Sequence, residues 1–224
     1  MDKYAIIVAG GTGSRLNSKT PKQFVLLAGI PVLMHSINAF HRYDPNVKIL
    51  VSLHPDYTRE WEQLCEKFNF QIQHTVVGGG ETRFHSVRNA LTTITVDGLV
   101  AVHDAARPLV SQQLIAHTFE QAGKYKSAVP AIAVNETVRS TEGNYVKLID
   151  RSSLRIIQTP QVFDIRLLQT AYRQEYVIGF TDDASLVEAM GMQVHLVQGS
   201  TRNIKITLPG DLEVAELYYR QELK

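Results

Sequence analysis

Apolar and polar positions along the chain follow two alternating rhythms. Nearly continuous apolar runs occur at 4–9 (YAIIVA), 47–53 (VKILVSL), 71–77 (QIQHTVV), 98–104 (GLVAVHD) and 127–134 (SAVPAIAV). Short runs of this kind predict strands, several of them covered on both faces. Between them the apolar positions take a helical spacing. Leu33, Ile37 and Phe40 share a face of 31–43, and Trp61, Leu64, Cys65 and Phe68 share a face of 56–68. Phe84, Val87, Ala90, Leu91 and Ile94 line up along 83–94. This alternation predicts an α/β fold with a mostly parallel, doubly wound sheet flanked by helices.

The rhythm breaks at 137–157. TVRSTEGNYVKLIDRSSLRII reads as strand, turn, strand, with EGN at the turn. Its apolar content is too thin to bury two faces, so it predicts a protruding β-hairpin arm. Open strand edges favour pairing with a second chain, and the arm is expected to build a homodimer; the alternative is a surface hairpin with no partner. Helical spacing returns at 164–175 and 182–191, with Thr181 or Asp182 as N-cap and Gly191 as stop. MQVHLVQG and NIKITL predict late strands, and PGDLEVAELYYRQELK a closing helix. No linker interrupts the pattern, so 1–224 is expected to be one domain with 137–157 as its arm.

Composition narrows the function classes. The chain has 224 residues, 44% apolar and 20% charged, with a net charge of +1. That balance argues against bulk electrostatic binding of nucleic acid or membrane, so a cationic site must be local. One cysteine, Cys65, excludes a disulfide framework and fits a reducing cytoplasm. MDKYAIIVAGG carries no long apolar segment, so no signal peptide is expected, and no apolar run is long enough to span a membrane.

The candidate chemistry sits where strands end. The first strand runs into AGGTGSRLNSKTPKQF, where Gly10, Gly11 and Gly13 let backbone N–H groups converge on an anion without obstruction from a Cβ. Two familiar phosphate motifs fail here. A dinucleotide G-x-G-x-x-G starting at Gly11 places Leu16 where a small residue belongs, and no Gly-Lys dipeptide exists for a Walker loop. The loop instead holds two cations, Arg15 and Lys22, separated by glycine and Pro21, so that they approach a polyphosphate from different sides. GGGETRFHSV (78–87) repeats the device, with Arg83 and Ser86 in the first turn of the next helix and amides expected to face outward. A plain strand-to-helix turn is the alternative. HDAARP ends a buried strand on the side where ligand crevices of open α/β sheets lie. Asp104 there has the chemistry to orient a hydroxyl or approach a metal, and Arg107 to bind phosphate; equally, the two form a pair closing the turn onto Pro108. His103 reads as a packing residue and not a base.

In order along nearly the whole chain, AGGTGSRLNSKTPKQF, GGGETRFHSV, HDAARP, QTPQVF, TDDASLVE and NIKIT resemble the 2-C-methyl-D-erythritol 4-phosphate cytidylyltransferases of non-mevalonate isoprenoid biosynthesis. The resemblance implies a Rossmann-like nucleotidyltransferase fold, a homodimer through the arm, and transfer of the cytidylyl group of CTP to 2-C-methyl-D-erythritol 4-phosphate, giving CDP-methylerythritol and pyrophosphate, with Mg2+ or another divalent cation. It places Arg15 and Lys22 on the triphosphate as transition-state stabilisers. It places Ala9, Gly10, Gly80 and Ser86 around cytidine, beside Gly11 and Gly13 of the same loop. Asp104, Arg107, Thr159, Thr181 and Lys205 fall on the methylerythritol phosphate pocket, with Thr137 and Arg151 reaching into the partner's site. Lys205 and Arg151 would hold the incoming phosphate. Glu81 stands where some members carry aspartate. No metal-ligand residue is assigned, Asp104 being the nearest candidate. The residues alone also fit blander roles: Lys205 on the solvent face of a strand, Arg151 paired with an acid, Thr181 as a helix cap. The rival functions are ribitol-5-phosphate cytidylyltransferase and a non-catalytic nucleotide-binding regulator.

Overall fold

The computed structural model describes residues 1–10, 20–143 and 145–222. Twelve strands and seven α-helices follow in chain order among these residues: β1 (Asp2–Val8), β2 (Leu26–Leu27), β3 (Ile30–Pro31), α1 (Val32–Tyr43), β4 (Lys48–Leu53), α2 (Thr58–Lys67), β5 (Thr75–Gly78), α3 (Arg83–Thr92), β6 (Gly98–Asp104), α4 (Gln112–Tyr125), β7 (Ser127–Ala133), β8 (Val138–Glu142), β9 (Tyr145–Ile149), β10 (Arg155–Ile157), β11 (Gln161–Asp164), α5 (Ile165–Ala171), α6 (Asp183–Ala189), β12 (Leu196–Gln198) and α7 (Pro209–Glu222).

An eight-stranded sheet has the order β10–β7–β11–β6–β1–β4–β5, and β12 also pairs with β7. β6, β1, β4 and β5 are parallel neighbours, as is β12 to β7, whereas β11 runs antiparallel to both β6 and β7. The unbroken apolar runs of β1 and β6 are explained by two-sided burial. Ala5, Ile7, Leu99 and Ala101 face a core formed with α1, α2 and α4. Ile6, Val100 and Val102 face a second core formed with α3, α5 and α6. Strand alternation thus sends every second side chain to a different helix layer. Phe40 on α1 is wholly buried and meets the His103 ring at 5.3 Å between centroids, which ties the first core to the end of β6. Truncating it to alanine would cost about 3–5 kcal/mol.

The arm exists as a two-stranded sheet of its own, β8–β9, turning at Gly143 with a φ of +58°. Tyr145, Val146 and Leu148 are exposed on it. The expected stretch runs too far, because its last residues, β10, pair antiparallel with β7 in the main sheet. NIKITL is not a strand. Its alternation arises because Ile204 and Ile206 pack into a third cluster with residues of α7, while Ile206 N–H donates to Ala106 O at 2.8 Å. In 71–77 only the C-terminal part pairs; His74 turns instead to accept from Trp61 Nε1 at 2.9 Å. Asp182, not Thr181, caps α6, accepting from Ser185 N–H at 2.9 Å, and Gly191 takes the expected left-handed conformation after it.

Candidate active site

The parallel strands deliver their carboxyl ends to one place. Val8 of β1 lies in register with Asp104 of β6, and Leu53 of β4 with Gly78 of β5. Past these ends a cleft of about 310 Å³ opens, lined by Ala9 and Gly10, Lys22 and Gln23, Gly80 to Arg83, Ser86, Asp104 to Ala106, and Lys205.

Each wall is fixed by local bonding. Lys22 begins a short 3-10 turn at Lys22–Phe24, and Phe24 anchors that turn by stacking on Trp61 at 6.1 Å and meeting Tyr57 edge-on at 6.0 Å. On the opposite wall, Thr82 caps α3 by accepting from His85 N–H. Ser86 is buried there and bridges two elements. Its Oγ accepts from Gly80 N–H at 3.1 Å, and its carbonyl accepts from Ser52 Oγ at 3.1 Å. A Cβ on Gly80 would stand 2.4 Å from His85 Cβ, so only glycine fits. The amides expected to face outward are used internally at two positions: Gly79 N–H donates to Leu53 O at 2.7 Å, and Gly80 N–H to Ser86.

The floor is ionic. Asp104 Oδ2 lies 2.8 Å from Lys205 Nζ and 3.6 Å from Arg107 Nε, and Oδ1 lies 3.4 Å from Arg83 Nε. Burial alone would push this carboxyl up; Arg83, then Lys205 and Arg107, outweigh it and hold Asp104 well below the usual carboxylate range. Arg83 is also gripped by Asp183, Nη2 to Oδ2 at 2.6 Å. Burial opposes the charge on Arg83, but Asp183 and Asp104 more than offset it and keep the guanidinium protonated. His103, wholly buried, is pushed down to about 4 by that burial and is no base at neutral pH.

The cleft therefore brings together Ala9, Gly10, Lys22, Gly80, Ser86, Asp104 and Lys205. Gly11, Gly13 and Arg15 lie outside the described residues. Arg107 and Thr159 are buried behind the cleft. Arg107 Nη1 donates to Asn203 O at 2.7 Å, Asn203 Nδ2 donates to Thr159 O at 2.8 Å, and Thr159 Oγ1 accepts from Asp104 N–H at 3.0 Å. These three residues form a strut that seats Lys205 against Asp104. Thr137, Arg151 and Thr181 line no part of the cleft within one chain; Thr137 and Thr181 are exposed, and Arg151, in the 3-10 turn Arg151–Ser153, donates to the carbonyl of Asn135. Arg83, Asp183 and Asn203 are the site residues that sequence reasoning left without a role. Among the described residues no group of three or more His, Cys, Asp or Glu is placed to hold a metal ion, and both oxygens of Asp104 face cations. The described side chains thus do not form a resident metal cage.

The family model described as 2-C-methyl-D-erythritol 4-phosphate cytidylyltransferase matches residues 4–221. A Bacteroides fragilis protein of that description is 48% identical over 215 residues, spanning 96% of this chain and 98% of its own length. One from Phocaeicola vulgatus is 46% identical, spanning 97% of this chain and 99% of its own. The crystal structure of 2-C-methyl-D-erythritol 4-phosphate cytidylyltransferase from Thermus thermophilus superposes with a TM-score of 0.80 at 33% identity, covering 98% of this chain and all of that one. Sheet, flanking helices and cleft define a nucleotidyltransferase with a Rossmann-like fold. Within that class, the chain belongs to the 2-C-methyl-D-erythritol 4-phosphate cytidylyltransferase family.

Proposed function

We propose that this protein transfers the cytidylyl group of CTP to 2-C-methyl-D-erythritol 4-phosphate, releasing pyrophosphate, as a step of non-mevalonate isoprenoid biosynthesis. The observation that carries the chemistry is the meeting of Lys22 and Lys205, from separate elements, in one cleft at the carboxyl ends of parallel strands. Family membership over nearly the whole chain supports the choice of substrates.

The polyol phosphate brings its own nucleophile. One of its phosphate oxygens attacks the α-phosphorus of CTP, and the bond from that phosphorus to the pyrophosphate oxygen breaks. No side chain need accept a proton, which agrees with a His103 that is neutral and walled in. The barrier is repulsion between two polyanions and charge growing on the transferring phosphoryl group, so fixed cations and positioning supply the catalysis. Lys22 and Arg15 act on the triphosphate, and Lys205 holds the incoming phosphate. Ala9, Gly10, Gly80 and Ser86 seat the cytidine. Asp104 keeps Lys205 in place, with Arg107 and Thr159 acting through the strut behind it. Magnesium or another divalent cation would come in with CTP as part of the substrate and supply charge neutralisation to its phosphates, with no described side chain assigned to hold it.

Thr137 and Arg151 belong to the arm region, and a homodimer would bring them to the partner's cleft, where Arg151 adds a second cation for the incoming phosphate. Thr181 lies at the entry to α6 and would contact the polyol. No helix among the described residues is long and apolar enough to cross a membrane, and Cys65 has a thiol pushed up to about 11 by burial and so is unreactive.

A substrate panel tests the assignment. CTP with methylerythritol 4-phosphate should release pyrophosphate, and CTP with ribitol 5-phosphate should release little. A preference for the ribitol ester would move the protein to the sister activity. CTP binding with no release from either would make it a regulator.

A further inference from the structure

Asp183 opens α6 and is wholly buried. Its two carboxylate oxygens have different partners. Oδ1 accepts from the Tyr172 hydroxyl at 2.6 Å, and Oδ2 accepts from Arg83 Nη2 at 2.6 Å. Arg83 opens α3, lines the cleft, and turns its Nε toward Asp104 Oδ1 at the longer distance of 3.4 Å. One guanidinium is therefore shared unequally between a hidden carboxylate and the carboxylate that holds Lys205.

A buried ion pair adds little net stability over apolar packing of equal volume; where one is retained, geometric specificity is the attested benefit. Here the geometry has a direct consequence. Asp104 Oδ2 stands 2.8 Å from Lys205 Nζ. If Arg83 closed on Asp104 with its full fork, the two cations would compete for the same carboxylate and the lysine would shift. We propose that Asp183 is a positioning residue for cytidylyl transfer: by drawing Arg83 away from Asp104, it leaves Asp104 to hold Lys205 where the incoming phosphate must bind. This rests on reading the cleft as the site of that transfer.

The inference separates turnover from nucleotide affinity. Asp183→Asn keeps the shape of the side chain, removes its charge and leaves the cleft one charge more positive. CTP should bind as well as before or more tightly, while kcat with methylerythritol 4-phosphate falls about ten- to a hundred-fold, the scale of a misplacement near 1 Å. Arg83→Lys keeps a charge but cannot bridge two carboxylates, and should give the same split. The double variant should be no slower than the worse single one, since both break one linkage. Tyr172→Phe is the control. It removes a bond to the other oxygen of the same carboxylate, so it should lower the melting temperature while kcat stays within about two-fold.

The experiment is CTP titration by calorimetry alongside steady-state pyrophosphate release for the three variants and the double. A kcat near wild type in Asp183→Asn or Arg83→Lys overturns the inference. So does a parallel loss of CTP affinity, or an equal fall of kcat in Tyr172→Phe; each would make the network merely structural. If Asp183→Asn does not fold, Arg83→Lys decides by the same split. An inactive wild type would instead sink the functional reading, and is told apart because the variants then have nothing to lose.

Discussion

Lys205 Nζ lies 2.8 Å from Asp104 Oδ2, joining a loop near the end of the chain to the tip of a central strand. Asp104 is held by its backbone, because β6 is buried along its length and the Asp104 N–H donates to Thr159 Oγ1. Lys205 stands two residues after Asn203, which is wholly buried, and directly before Ile206, which is also buried and whose N–H donates to Ala106 O. The lysine side chain itself is 40% exposed, so the pair adds little to stability. Its value is positional: an ammonium with a fixed location and a partner that a doubly charged phosphate can outcompete.

Lys205→Ala should therefore separate stability from function. We expect kcat/KM for methylerythritol 4-phosphate to fall about 10²–10³-fold, the scale of losing one preorganised charge at a transition state. CTP affinity and melting temperature should change little. Steady-state kinetics with each substrate varied in turn, plus a thermal melt, checks this. A loss confined to KM for CTP would place the lysine on the nucleotide instead.

Lys22→Ala should lower turnover roughly 10²–10³-fold, with the fold intact. The 3-10 turn that carries it is held by Phe24 against Trp61 and Tyr57, none of which depends on the ammonium. Circular dichroism and a melt should match wild type while pyrophosphate release collapses. Near-normal release would remove Lys22 from the chemistry.

The sheet was readable because its signal is local: six residues of apolar run suffice to mark a strand covered on both faces, and β1, β4 and β6 have no other way to be buried. The packing role of His103 was readable for the same reason, since it alternates with core residues. What stayed hidden depends on contacts distant in sequence. Arg83 was visible in the first turn of α3, but its partner Asp183 lies 100 residues further on in α6, another helix of the same core, and no spacing announces the pair. NIKITL alternates like a strand because Ile204 and Ile206 face α7, a pattern that periodicity cannot tell from sheet pairing. A glycine run promises free amides, but Gly79 N–H is taken by Leu53 O and Gly80 N–H by Ser86 Oγ, acceptors that spacing does not reveal.

The arm makes a prediction about mixed subunits. Tyr145, Val146 and Leu148 are 84%, 64% and 61% exposed on a hairpin bonded only to itself, an arrangement that calls for a partner. If Arg151 serves the neighbour's cleft, Arg151→Ala and Lys22→Ala chains should complement each other. A mixed dimer holds one cleft with an intact Lys22 and an intact Arg151 from the other chain. Co-expression should then restore about a quarter of wild-type activity, because half the dimers are mixed and each has one working site. Complementation at the background level would return Arg151 to its own chain or to the surface.

Stability should fall with acid well before the carboxylates titrate, and His103 should be the cause. Its Nε2 lies 3.1 Å from the Arg107 carbonyl, which can only accept, so the proton sits on Nε2. Nδ1 must then accept from the Thr159 hydroxyl at 3.1 Å, the same hydroxyl that accepts from Asp104 N–H. A second proton on the ring would break this relay, and burial opposes the charge as well. The folded value is accordingly about 4 against an ordinary 6.5. Because the folded value is lowered, the contribution is complete above pH 6.5. It is lost as pH falls toward 4, since only the unfolded chain takes up the proton in that window. The loss is roughly 3 kcal/mol over the whole window and about 2 kcal/mol between pH 7 and pH 5. Asp104, held low by its cations, gives way only below about pH 4. Denaturant melts at pH 7 and pH 5 should show the difference in wild type, and His103→Gln, which has no ring to protonate, should flatten it. An unchanged slope in that variant would mean that another group governs the acid limb.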